Sequence, residues 1–220
     1  MNSPARLSGL IACTMAGVSA GCGGTASARP LPVPAADTQT DRQTDWRRVA
    51  TPADRARLRS WRGAWIDAMA KIRAAGLIAS IEADPTLFDP DRALPNPVPP
   101  AGLYRCQVVK LGANGTAMRD LTRYPAVDCR VESTDGIVRL YKIDGAQRPF
   151  GTLYEDSSSR AVFLGTMVLG DEHRPLAYGK DANHDLAGYV ERIEPQRWRM
   201  VLPWPRFESL LNVVEIIPAR

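Results

Sequence analysis

The sequence predicts an α+β protein that is mainly β: an N-terminal amphipathic helix, then an antiparallel β-barrel-like (calycin-like) or sandwich domain of about seven or eight strands. Three observations carry this. Apolar residues recur at helical spacing between Thr51 and Gly76, the period drops to two from Leu103 onward, and turn chemistry separates the alternating runs.

The chain opens with an export signal. Arg6 precedes an apolar, small-residue run from Leu7 to Ala20, then Gly21-Cys22-Gly23-Gly24. The run is shorter than the ~20 apolar residues a spanning helix needs. Residues 1–21 therefore read as a signal peptide, with Cys22 acylated as the first residue of the mature chain. Two other routes stay open. Leu10-Ile11-Ala12-Cys13 fits the lipoprotein box better than Ser19 before Cys22 does, but Cys13 lacks an apolar run before it; ordinary cleavage would follow Ala26-Ser27-Ala28. All three export the protein. Several acyl chains, at ~0.8 kcal/mol per buried methylene, would give a stable membrane anchor, and Gly23-Gly24 favours the outer membrane over retention at the inner one.

Residues 22–44 have almost nothing to bury and read as a tether. Residues 45–220 read as one domain, beginning near Asp45-Trp46. Thr51-Pro52-Ala53-Asp54 is a helix start, with a capping hydroxyl, Pro in the first turn and an acid at the positive end. Leu58, Trp61, Trp65, Met69 and Ile72 form the apolar face, Arg55, Arg59 and Arg62 lie off it, and Gly76 is the stop. The helix is expected to cover an open end or an outer face of the sheet. Leu77 to Ala83 adds a turn or two. From Asp84 to Gly102, Pro85, Pro90, Pro95, Pro97, Pro99 and Pro100 block regular structure and mark a crossover.

Alternating runs follow around Cys106, Cys129, Ile137 to Ile143, Tyr189 to Ile193 and Trp198 to Leu202; Ala161 to Leu169 is more continuously apolar, and Val213 to Ile217 is a last strand. Turns fall at Asn114-Gly115, Asp135-Gly136, Asp144-Gly145, Asp156 to Ser159, Gly170-Asp171 and Glu194-Pro195. Cys106 and Cys129, the pair left beyond Cys22, make one disulfide in an oxidising compartment, worth roughly 3 kcal/mol on chain entropy. Tyr104, Tyr141, Tyr154, Tyr178 and Tyr189 either pack or line a cavity.

Composition excludes more than it assigns. The net charge of +4 is mild and both signs are interspersed, so no nucleic-acid partner is expected. Nucleophile elbow, zinc-helix, phosphate-loop and dinucleotide signatures are missing, and no cofactor is expected. With His173 and His184 as the full histidine complement, a multi-histidine zinc site is excluded. The catalytic candidates are these two with Asp171 and Glu172. Asp181, Asn183 and Asp185 have alternate spacing suited to calcium, but Leu186 replaces the expected Gly and Arg192 the closing carboxylate; the alternative is a plain turn. Gln147-Arg148-Pro149 and Gly170-Asp171-Glu172 either line a site or brace turns, with Arg148 pairing with Asp171 or Glu172.

Taken together, Tyr104-Arg105-Cys106, Val109-Lys110-Leu111-Gly112, Gly145-Ala146-Gln147-Arg148-Pro149, Val162-Phe163-Leu164-Gly165, Val190-Glu191-Arg192-Ile193, Arg197-Trp198-Arg199 and Glu208-Ser209-Leu210-Leu211 give the chain its likeness. It resembles the bacterial exported family catalogued as domain of unknown function 4893, over roughly Trp46 to Pro218. The resemblance implies no reaction, ligand or catalytic residue. The expected role is an exported envelope lipoprotein acting as a binding or accessory module without catalysis, its partners a small apolar ligand, a cell-wall fragment or an envelope protein. An envelope hydrolase using His173 or His184, a protease-inhibitor-like barrel and a purely structural envelope protein are the alternatives.

Overall fold

The computed structural model describes residues 45–115, 118–206 and 208–219. The segments expected to be a signal peptide (1–21) and a tether (22–44), with Cys13 and Cys22, lie outside the described residues. Five helical segments come first: α1 (Trp46–Val49), α2 (Pro52–Arg59), α3 (Trp61–Ala74), α4 (Ala79–Glu82) and α5 (Pro85–Phe88). Thr51 caps α2 as its sequence suggests, its Oγ1 accepting from the Asp54 amide at 3.1 Å. At the far end Gly76, at φ 71°, closes α3 in a Schellman turn, with Leu77 N donating to Ile72 O and Gly76 N to Arg73 O at 3.0 Å each.

The expected single helix is two. It bends at Ser60 (φ −92°, ψ 10°), so that α2 packs on β7 (Asp185–Glu194) while α3 packs on β1 (Gly102–Ala113), β8 (Arg197–Pro203) and β9 (Ser209–Pro218). A straight rod could not follow that curved wall. The proline-rich crossover also carries one helical turn, α5, because Pro85 stands where no amide is needed and Asp84 Oδ1 accepts from Leu87 N at 3.1 Å.

The remaining strands are β2 (Leu121–Arg123), β3 (Val127–Thr134), β4 (Ile137–Lys142), β5 (Gln147–Ser157) and β6 (Arg160–Leu169). Pairing runs β1-β3-β4-β5-β6-β7-β8-β9, all antiparallel, and β9 returns to β1 from Tyr104↔Pro218 to Ala113↔Ser209. Eight strands thus form a closed barrel. The short β2, which sequence reasoning did not find, pairs with the second half of β1, where β3 has diverged. Closure leaves no long edge exposed to other chains.

Two apolar layers explain why so many strands are apolar on both faces. Inside lie Tyr104, Val131, Leu140, Leu153, Phe163, Val190, Trp198, Met200 and Ile216; outside, Val109, Leu111, Val162, Leu164, Val201 and Val213 pack under Leu58, Trp61, Trp65 and Ile72. The disulfide joins Cys106 to Cys129 inside the barrel, Cα to Cα 5.9 Å. Asp135-Gly136 forms the two-residue hairpin its sequence announces, with φ of 51° and 76°. Gly151 and Gly165 face each other across β5 and β6, where a Cβ on Gly165 would stand 2.3 Å from Phe150 O. Among the described residues no helix is long and apolar enough to cross a membrane.

Candidate functional site

One end of the barrel is open. There the segment between β2 and β3 and the loops after β4 and β8 border a cavity of about 390 Å³, walled by Val108, Val127, Pro149, Met167, Leu202 and Val214, with Tyr124 at the rim. Its polar groups are Lys110, Lys142, Gln147, Glu208 and Asn212. The inner face of β1 carries Cys106, Val108 and Lys110 at alternate positions, so the same phase that buries the disulfide turns Lys110 inward. Deeper down, Met200, Ile216 and the disulfide fill the barrel. The cavity is therefore a mouth and not a channel.

Lys110 is 4% exposed. Its Nζ donates to Gln147 Oε1 at 2.9 Å and to Glu208 Oε2, and lies 5.4 Å from the Tyr124 ring centroid. Burial, then the charge of Lys142, pushes its pKa down to about 8; the contact with Glu208 works the other way. Lys142 Nζ donates to Gln147 O at 3.0 Å, and burial, followed by Arg148, lowers its pKa against the opposing effect of Asp144. Asn212, 4% exposed, accepts from Ser209 Oγ at 2.7 Å. Of these, sequence reasoning offered only Gln147, within Gln147-Arg148-Pro149, as a residue that could line a site; Lys110, Lys142, Glu208 and Asn212 were not singled out for one. The available signal was register: Lys110 and Lys142 are in phase with Cys106 and Leu140 on their strands.

The catalytic candidates divide. His184 Nδ1 lies 2.8 Å from Asp181 Oδ2 and its Nε2 lies 3.4 Å from Glu172 Oε1, all within the loop between β6 and β7. The Asp181 hydrogen bond, with Glu172 adding to it, raises the His184 pKa above its usual value. His173 and Asp171 are exposed, and neither His lines the mouth cavity. Glu172 is a turn brace, its Oε2 accepting from Leu169 N at 2.8 Å. Arg148 braces the same loop through main-chain oxygens: it donates to Gly145 O (2.7 Å), Gly170 O (2.9 Å) and Glu172 O (2.6 Å), where the sequence suggested a carboxylate partner.

The calcium candidates have separate partners. Asp181 Oδ1 accepts from Asn183 N at 2.9 Å, while Asp185, 5% exposed, accepts from Gly179 N at 2.8 Å. Among the described residues no group of three or more His, Cys, Asp or Glu is placed to hold a metal ion. Nor do the five tyrosines singled out from sequence line the mouth. Tyr189 meets Trp61 edge to face at 5.8 Å under the helices, Tyr178 donates to the buried Asp54 at 2.6 Å, Tyr141 packs on Phe150, and Tyr104 and Tyr154 border recesses at the other end.

A second polar cluster is structural. Arg199, fully buried on the outer face of β8, donates from Nε and Nη2 to Glu191 Oε2, from Nη1 to Leu87 O (2.9 Å) and Asp89 O (2.6 Å), and from Nη2 to Arg92 O (3.1 Å). All five guanidinium N–H groups are used. Arg160 takes the other oxygen of Glu191 from 2.9 Å and covers the Trp61 and Tyr189 rings. This cluster ties the proline-rich crossover to the barrel wall.

The runs that carried the family likeness are now placed. Lys110, Gln147 and Glu208 meet at the mouth; Glu191, Arg197 and Arg199 clamp the crossover, Arg197 through Asp84; Gly165 admits close packing against β5. No curated protein and no solved structure matches the chain. A family model does match, over residues 46–216, from α1 to the last strand, and the chain belongs to the family described as Domain of unknown function (DUF4893).

Proposed function

We propose that this protein is an exported, lipid-anchored binding module of the cell envelope, whose barrel mouth takes up a small, largely apolar molecule. The mouth cavity carries the reading: its volume of about 390 Å³ falls in the usual range for small-molecule sites, and its walls are apolar with a few convergent polar groups. The export half draws on the signal-like residues 1–21 with Cys22, and on the enclosed Cys106–Cys129 bridge, which suits an oxidising compartment.

The hydrolase reading has less support, because the imidazole of His184 is held between two carboxylates of its own loop, away from the cavity. Two experiments test the proposal. Saturable uptake of the neutral dye N-phenyl-1-naphthylamine, displaced by decanol and weakened in Met167→Trp, supports a binding mouth; no saturable uptake by the wild type ends that half. Fatty-acid labelling that is lost in Cys22→Ala supports the anchor, and an unlabelled wild type removes it.

A further inference from the structure

The charge balance of the mouth specifies the class of guest, an inference that rests on the binding reading above. Lys110, Lys142 and Glu208 are the charged side chains lining the cavity. Lys110 has its counter-charge in Glu208. Lys142 does not: its Nζ donates to a neutral carbonyl, Gln147 O, and beyond the rim Arg148 and Asp144 act on it with opposite signs. The mouth therefore holds one positive charge in excess, in a half-buried setting where an uncompensated ammonium is costly.

The donors converge as well. Asn212 spends its carboxamide oxygen on Ser209, which leaves the amide nitrogen as the end that can donate to a guest. Opposite these donors stand Val108, Met167, Leu202 and Val214, and the filled barrel below limits how deep a guest can go. A neutral apolar molecule would satisfy the walls and ignore the charge, whereas a cation would meet the excess of its own sign. A monoanion satisfies both.

We propose that the mouth is a receptor for aliphatic monocarboxylates, with the carboxylate held by Lys142, Lys110 and Asn212 and the chain lying against Met167, Leu202 and Val214. Two lysines and an amide on separate strands give the head group a fixed seat, since charge-assisted bonds to a carboxylate are about twice as strong as neutral ones.

The test compares decanoate, decanol and decylammonium by calorimetry or dye displacement on the intact mature protein, with Lys142→Met and Lys142→Arg beside the wild type. Decanoate is expected to bind about tenfold or more tightly than decanol, since a hydrogen bond to a charged group contributes at that level, and decylammonium least tightly. Lys142→Met brings decanoate to the level of decanol, with saturable decanol binding by the variant showing that it is folded, and Lys142→Arg restores the preference. Equal binding of decanoate and decanol by the wild type, or a preference that survives Lys142→Met, overturns the inference and leaves the binding reading standing. Failure of all three molecules to bind overturns both.

Discussion

Lys110 on the inner face of β1 and Glu208 just before β9 form an ion pair at the barrel mouth, the lysine side chain 5% and the glutamate 32% exposed. They are 98 residues apart in sequence, and the β9–β1 closure brings them together. Glu208 holds a left-handed backbone, φ 73°, and its carbonyl accepts from Asn114 N at 3.2 Å, so the loop is positioned from both ends of the pair. Glu208→Gln leaves a buried ammonium without its counter-charge. We expect it to destabilise the protein by about 1–2 kcal/mol, the smaller figure reflecting solvent access to Glu208. Lys110→Met, which leaves a carboxylate that water can reach, should cost less; urea unfolding of the two variants makes the comparison.

The same lysine sets a pH dependence. With a pKa pushed down to about 8, Lys110 is charged at neutral pH and loses its proton as pH rises through that value. Lys142, Glu208 and the Tyr124 ring are the other groups that face it. Decanoate uptake should therefore weaken from neutral pH to pH 9, with decanol uptake unchanged. Stability has the opposite sign: the folded state holds the proton less tightly than the unfolded chain, so the contribution of Lys110 improves as pH climbs from about 8 toward the ordinary lysine value of 10.5. That slope should be shallower in Lys110→Met, where the lowered pKa of Lys142 still contributes with the same sign.

Glu191→Gln is the sharper stability test. Glu191 and Arg199 are both fully buried, and Arg160 shares the carboxylate. Neutralising Glu191 strands the Arg199 charge against Leu87, Asp89 and Arg92 carbonyls, at a cost of about 3–5 kcal/mol. Arg199→Lys should not preserve the clamp, because the three N–H groups of an ammonium cannot serve the four acceptors Glu191 Oε2, Leu87 O, Asp89 O and Arg92 O. Thermal unfolding, with hydrogen exchange of residues 84–94 as the local readout, checks this.

Gly165→Ala should destabilise by about 1–3 kcal/mol through overpacking. The added Cβ would stand 2.3 Å from Phe150 O and 2.6 Å from Gly151 Cα, both backbone atoms that cannot turn aside. Gly76→Ala offers the contrast: nothing lies within 4 Å, and its penalty comes from the left-handed φ of 71° alone. Chemical denaturation of both variants separates a steric from a conformational cost.

His184 should titrate above the ordinary histidine value, because Asp181, and secondarily Glu172, hold the imidazolium form. Asp181→Asn should bring it down, as read from ring-proton shifts assigned with His184→Gln. Since the folded-state pKa is raised, the stabilisation from this contact is full below about pH 6.5 and is lost as pH passes the raised value.

What the sequence by itself determined is local. The Thr51 cap, the Gly76 stop, the Asp135-Gly136 hairpin and the two-residue alternation each depend on neighbours along the chain, and the Cys106–Cys129 bridge followed from there being one pair left to join. Tertiary structure decided which face of each strand was enclosed. On β6, β7, β8 and β9 both faces are apolar, because helices cover the wall outside while side chains fill the barrel inside; alternation then gives no sign of inside and outside. The bend at Ser60 answers the curvature of that wall, and the mouth exists because closure brings Lys110, Lys142, Gln147 and Glu208 from separate strands and loops to one end. A lysine in a strand reads as solvated until the ring that encloses it is known, and ring closure is a property of pairings nearly a hundred residues apart in sequence.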